Sequence, residues 1–290
     1  MKKLFFLLLP FIFQFQSRAF AQYADLYIME DSLVATADSM YNAFIPELRQ
    51  RYCEQFIKQL VRTLKTPKSY SYSFGKLDSL INIIQPEDKS FKIFNWVIVL
   101  SPVAIRYYGA IQMEGEQLKL YPLIDYTQEL GNTGVEDSIL TNGKWLGAIY
   151  YDILTRTTNG KNIYTLIGKN ASSITTNMKI LEPMYFTEKG PVFGAPVFNI
   201  PDKNINRFLL EYRKDVNVSM KWDKEYNAIT FDRLISQMND PSRKNTLVPT
   251  GQYDGLKWDN GKWNFVEDII PVQVFQDGQA PTPQPLTPKE

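Results

Sequence analysis

An α+β fold, with N-terminal helices packed on a curved and mainly antiparallel β-sheet, is predicted by three features of this 290-residue chain. Apolar residues recur at helical spacing as far as Ile84. From Phe91 onward they alternate with period two, the period of a strand with distinct faces. Asn-Gly pairs then punctuate the alternating runs at Asn142-Gly143, Asn159-Gly160 and Asn260-Gly261. That dipeptide suits the two-residue hairpin turn, because both positions take a positive φ.

The chain opens with Lys2 and Lys3, an apolar run over residues 4–13, and then Ala19-Phe20-Ala21. A basic start, a short apolar stretch and a small-x-small site form the pattern of a secretory signal, cut after Ala21. The apolar run is too short to span a bilayer, which needs about 20 residues. No cysteine follows the cut, which argues against an acylated lipoprotein. Residues 22–290 would carry a net charge of −2, since Lys2, Lys3 and Arg18 leave with the signal. No later run reaches membrane-spanning length, so no transmembrane segment is expected after cleavage. The expected location is periplasmic or secreted.

Residues 22–86 read as a helical segment. Leu33, Ala37, Met40, Tyr41 and Phe44 mark one helix, capped by Asp31 or Ser32. Pro46 fits the first turn of a second helix, whose apolar stripe is Tyr52, Cys53, Phe56, Leu60 and Leu64. This places Cys53, the only cysteine, in the core, so no internal disulfide holds the fold. A shorter helix is predicted through Leu77, Leu80, Ile81 and Ile84, stopped by Pro86.

Residues 87–277 read as an antiparallel β-rich region forming one domain with the helices. Phe94, Trp96 and Ile98 alternate with Asn95 and Val97. Ile105, Tyr107, Gly109, Ile111 and Met113 follow in the same period. Val218, Met220 and Trp222 stand against Ser219, Lys221 and Asp223. One helical interruption is expected from Ser172 or Ser173 through Met178, Ile180 and Leu181. Residues 236–253 read as a long polar loop and residues 258–265 as a last hairpin. Residues 278–290, with Pro281, Pro283, Pro285 and Pro288, read as a disordered tail.

Composition closes several chemistries. With 32 Lys+Arg against 31 Asp+Glu, the near-neutral chain lacks the basic excess of a nucleic-acid binder. The absence of histidine excludes any Ser-His-Asp, Cys-His or His-ligated metal site made by this chain alone. Calcium-loop spacing fails at Ile270, where the closing Glu would stand counting from Asp259. No metal or cofactor is expected. Acids inside apolar strands remain, namely Asp152, Glu211 and Asp232, and two of them converging in a cleft would suit glycoside hydrolysis. Alternation explains them better as solvated groups on the polar faces of their strands, with Glu211 neutralised by Arg207 and Arg213. Trp258 and Trp263 flank a turn, and are expected to be exposed and to stack on a partner or a sugar ring.

The run 164–168 (Tyr-Thr-Leu-Ile-Gly), residues 191–194 (Pro-Val-Phe-Gly), Glu211-Tyr212, residues 229–234 (Ile-Thr-Phe-Asp-Arg-Leu), residues 251–255 (Gly-Gln-Tyr-Asp-Gly) and Gly261-Lys262-Trp263 occur in that order. In these pieces the chain resembles an uncharacterised family of exported proteins from Bacteroidetes-type bacteria, to which no activity is assigned. The resemblance implies location and fold continuity, not residue roles. The expectation is an exported envelope protein that binds a protein or glycan without turnover. The alternative is a carboxylate-dependent hydrolase of an envelope polysaccharide.

Overall fold

The computed structural model describes residues 8–131 and 134–271, with side chains from Ala24 onward. Residues 1–7 of the predicted signal and the Pro-rich tail lie outside the described residues. The expected cut after Ala21 falls within the first helix, α1 (Leu8–Asn42).

Helix α2 (Pro46–Leu64) begins at proline, whose fixed φ and missing N–H fit a first turn. Glu47 in its first turn and Arg62 in its last complement the helix dipole. Cys53, Phe56 and Leu60 of α2 share one buried cluster with Leu33, Ala37 and Met40 of α1 and with Phe94, Trp96 and Ile98. The Trp96 indole N–H meets Cys53 Sγ at 3.4 Å, and burial pushes this thiol up to about 11.

The strands are β1 (Asn82–Ile84), β2 (Phe91–Ser101), β3 (Ala104–Met113), β4 (Leu120–Ile124) and, after a one-turn helix α3 (Thr127–Leu130), β5 (Leu140–Thr141). Then come β6 (Ile149–Thr158), β7 (Lys161–Asn170), β8 (Thr176–Thr187), β9 (Gly190–Phe193) and β10 (Phe198–Asn199). The last are β11 (Phe208–Arg213), β12 (Met220–Asp223), β13 (Ala228–Ser236), β14 (Leu247–Asp259) and β15 (Lys262–Val266). The mixed helical and mainly antiparallel content is that of an α+β fold. It is divided among three sheets rather than gathered in the single sheet expected.

The first sheet runs β1-β2-β3-β4, all antiparallel. The second runs β5-β9-β8-β7-β6, with β11 also paired to β8. The third runs β10-β15-β14-β13-β12, and only its β10–β15 pair is parallel. Alternation in β2 serves two cores. Phe94, Trp96 and Ile98 join the helices' cluster, while Phe91 and Ile93 join Tyr107, Ile111, Tyr150, Leu166 and Ile180 between the first and second sheets. The other face of the second sheet offers Leu154, Ile167 and Leu181 to Ile229, Phe231, Leu256 and Trp263 of the third.

Three local expectations are corrected. The helix predicted at 77–84 is a single 3-10 turn, Leu77–Ser79, followed by β1. The helix predicted from Ser172 is β8. Ser173 Oγ does accept the Thr176 N–H at 3.2 Å as a cap would, but Met178, Ile180 and Leu181 then divide between two cores as strand residues do. Strand β14 occupies the end of the predicted 236–253 loop.

Candidate functional site

A cleft of about 460 Å³ lies between β11 of the second sheet and β13 of the third. The 3-10 turn Lys244–Thr246 and residues 134–137 contribute to its walls. Of the three acids singled out from sequence, two meet here. Glu211 Oε1 accepts the Thr176 hydroxyl at 2.5 Å, and Asp232 Oδ2 accepts the Ser219 backbone N–H at 2.6 Å. Asp152 is not part of the cleft. Its Oδ1 accepts the Ile153 N–H at 2.8 Å, beside the bulge that shifts the β6–β7 register between Tyr150 and Asp152.

A second bulge shapes the wall. The β13–β14 register shifts between Asp232 and Leu234. Arg233, at the shift, binds Asp254 through Nε at 3.1 Å and through Nη2, and reaches Glu267 at 3.2 Å and Asp268 at 3.1 Å. Donation to the Asp254 carboxylate holds this guanidinium well above its usual range. Asp232 itself is only 7% exposed, so the expected solvated carboxylate is corrected to a nearly enclosed one. Glu136, also in the lining, has its Oε1 buried; among the described residues that oxygen accepts no hydrogen bond but pairs with Lys203 Nζ at 3.6 Å.

The segment that carries Glu136 is fixed from behind. Arg207 and Glu182 are both fully buried, with Arg207 Nε and Nη2 each 2.7 Å from Glu182 Oε1. Arg207 Nη1 donates to the carbonyls of Val135 and Ser138 and to Ser138 Oγ at 2.9 Å. Tyr150 donates to Glu182 Oε2 at 3.3 Å and receives the Trp145 N–H at 2.8 Å. Burial raises the Glu182 carboxyl, and Arg207 opposes that shift. This corrects the expectation that Arg207 is a solvated neighbour of Glu211. The available signal was a charged residue inside each of two apolar runs, around Glu182 and Arg207.

Trp263 is fully buried and donates its N–H to Thr165 Oγ1 at 3.0 Å, so the expectation that it stands exposed is overturned. Alternation explains the correction. Trp263 pairs with Trp258 across β14–β15, and both share the sheet face that holds Leu256 and Phe265. Trp258 is half-buried, 5.1 Å from Trp263 between ring centroids.

Among the described residues no group of three or more acidic, Cys or His side chains is placed to hold a metal ion. Among them, too, no helix is long and apolar enough to cross a membrane. Comparison of the chain with protein-family models, with curated proteins and with solved structures finds no match.

Proposed function

We propose that this is an exported protein of the cell envelope, of the family its motifs resemble, and that it binds a glycan in the β11–β13 cleft without turning it over. In this reading helices α1 and α2 cover the first sheet and leave the far side of the molecule for the ligand. One observation carries it, the make-up of the cleft wall. Five carboxylates (Glu136, Asp137, Glu211, Asp232, Asp254) and three cations (Lys203, Arg233, Lys244) share it with Ser172, Ser173 and Asn177. An excess of acceptors with interspersed donors complements a neutral polyhydroxylated ligand and disfavours a polyanion.

The test is calorimetry with neutral oligosaccharides from an envelope extract, with product analysis alongside. Binding is expected, weakened about tenfold, or ~1.4 kcal/mol, in Glu211→Gln and in Asp232→Asn. No new reducing ends should appear. A protein partner captured by the same surface, with no glycan bound, would contradict the glycan assignment.

A second reading is kept because Glu211 and Asp232 line one cleft. A hydrolase of an envelope polysaccharide would use them as an acid/base pair. Reducing ends released by the wild type and abolished by either variant would establish it over the first.

A further inference from the structure

We propose a second ligand site, for an acidic sugar residue, at Arg156 and Trp222, where edge strand β6 of the second sheet meets edge strand β12 of the third, with Trp258 of inner strand β14 on the same face. None of these three residues lines the cleft, so the site stands independently of the reading above. Strand β6 is one edge of the second sheet and β12 one edge of the third. They are tied where Tyr151 of β6 donates to the carbonyl of Met220 in β12 at 2.7 Å. Register places Trp222 opposite Ile229, Ile229 opposite Leu256, and Trp258 two residues beyond Leu256. Trp222 and Trp258 therefore share the face of the third sheet that turns toward the second, the face that also carries buried Trp263. Their ring centroids lie 6.4 and 5.1 Å from that of Trp263, and both indoles are half-buried.

Arg156 enters this cluster from β6. Its guanidinium carbon lies 4.9 Å from the Trp222 ring centroid and 5.4 Å from that of Trp263. Its one hydrogen bond within the described residues runs from Nη1 to the Thr155 carbonyl at 2.9 Å. It forms no ion pair there. Glu87 acts on it only through space, and burial lowers its pKa. The indole N–H groups of Trp222 and Trp258 likewise meet no acceptor among the described residues, and neither is sealed from solvent.

The site thus offers two half-buried indoles, free N–H donors and a planar cation lacking an anion among the described residues. A guanidinium fork recognises a carboxylate in two-point fashion, and an indole face covers the C–H face of a pyranose. A uronic acid joins both features in one ring. A neutral sugar would leave the fork unanswered, and an aliphatic acid would leave the indoles uncovered.

The test uses the purified protein with tetragalacturonate and its methyl ester, read by indole fluorescence and calorimetry. The acid should bind and perturb the fluorescence, and the ester should bind at least tenfold more weakly. Trp222→Ala should abolish binding. Arg156→Lys should remove most of the preference for the acid, because an ammonium keeps the charge but not the fork. Glu211→Gln in the cleft should bind the acid as the wild type does. Equal affinity for acid and ester, or no fluorescence response to the acid at millimolar concentration, would overturn the proposal. Both readouts are made on the wild type, so a variant that fails to fold does not shelter it.

Discussion

Arg207 and Glu182 face each other with no solvent on either side, and the guanidinium also holds the carbonyls of Val135 and Ser138. Removing one partner leaves an uncompensated buried charge, which costs about 3–5 kcal/mol. Arg207→Ala should lower stability by that amount in urea unfolding, while the paired change Arg207→Met with Glu182→Met should cost less. A loss under about 1 kcal/mol for the single variant would contradict the network's role. Asp88 gives a pH signature. Its desolvation raises the carboxyl, but bonds from Ser90, from the Tyr164 hydroxyl at 2.8 Å and from Asn162 outweigh it, and the net shift is downward. A depressed carboxylate pKa adds stability that is present above the unfolded value, near 3.8, and lost as pH falls through the folded value. Asp88→Asn should therefore flatten the acid limb of the stability profile below about pH 4, and an unchanged limb would remove Asp88 from the account.

Elements differ in how much of them the sequence discloses. Helix α2 was legible because its stripe and Pro46 agree, and β2 because period two holds along its length. The segment entering β8 was not. Ser173 forms a genuine cap-like turn, and the residues after it are apolar on both faces, a pattern shared by a buried strand and a helix. Two of the three Asn-Gly pairs behave as expected: Asn159 and Gly160, and Asn260 and Gly261, all have positive φ. Asn142 and Gly143 do not; that pair sits in a bend closed by the Thr141–Lys144 bridge. Gly261 is further constrained, since a Cβ there would meet Thr158 Oγ1 at 2.5 Å, whereas at Gly143 it would meet nothing nearer than 3.9 Å. Gly261→Ala should cost about 1 kcal/mol or more, and Gly143→Ala almost nothing. Equal thermal shifts for the two would refute this contrast.

At the scale of the whole molecule, a sequence read strand by strand shows that faces are buried without showing against what. Both faces of β2, and both faces of the second sheet, are buried, which a single sheet under helices does not require. The same blindness hid the site. Glu211 and Asp232 lie on strands of different sheets, and only the stacking of those sheets brings them to one cleft. Asp152, equally apolar in its neighbours, was left elsewhere by the same stacking. Trp263 failed as an exposed residue for a related reason, because the face of the third sheet that carries it packs on the second sheet. The central claim is that glycan is held between β11 and β13 and left intact. Hydrogen exchange on the purified protein, with and without neutral envelope oligosaccharides, tests it most directly. The account predicts slowed exchange confined to β11, β13 and residues 134–137, with the oligosaccharides recovered at their original length. Unchanged exchange in those segments, or recovery of shortened chains, would contradict it.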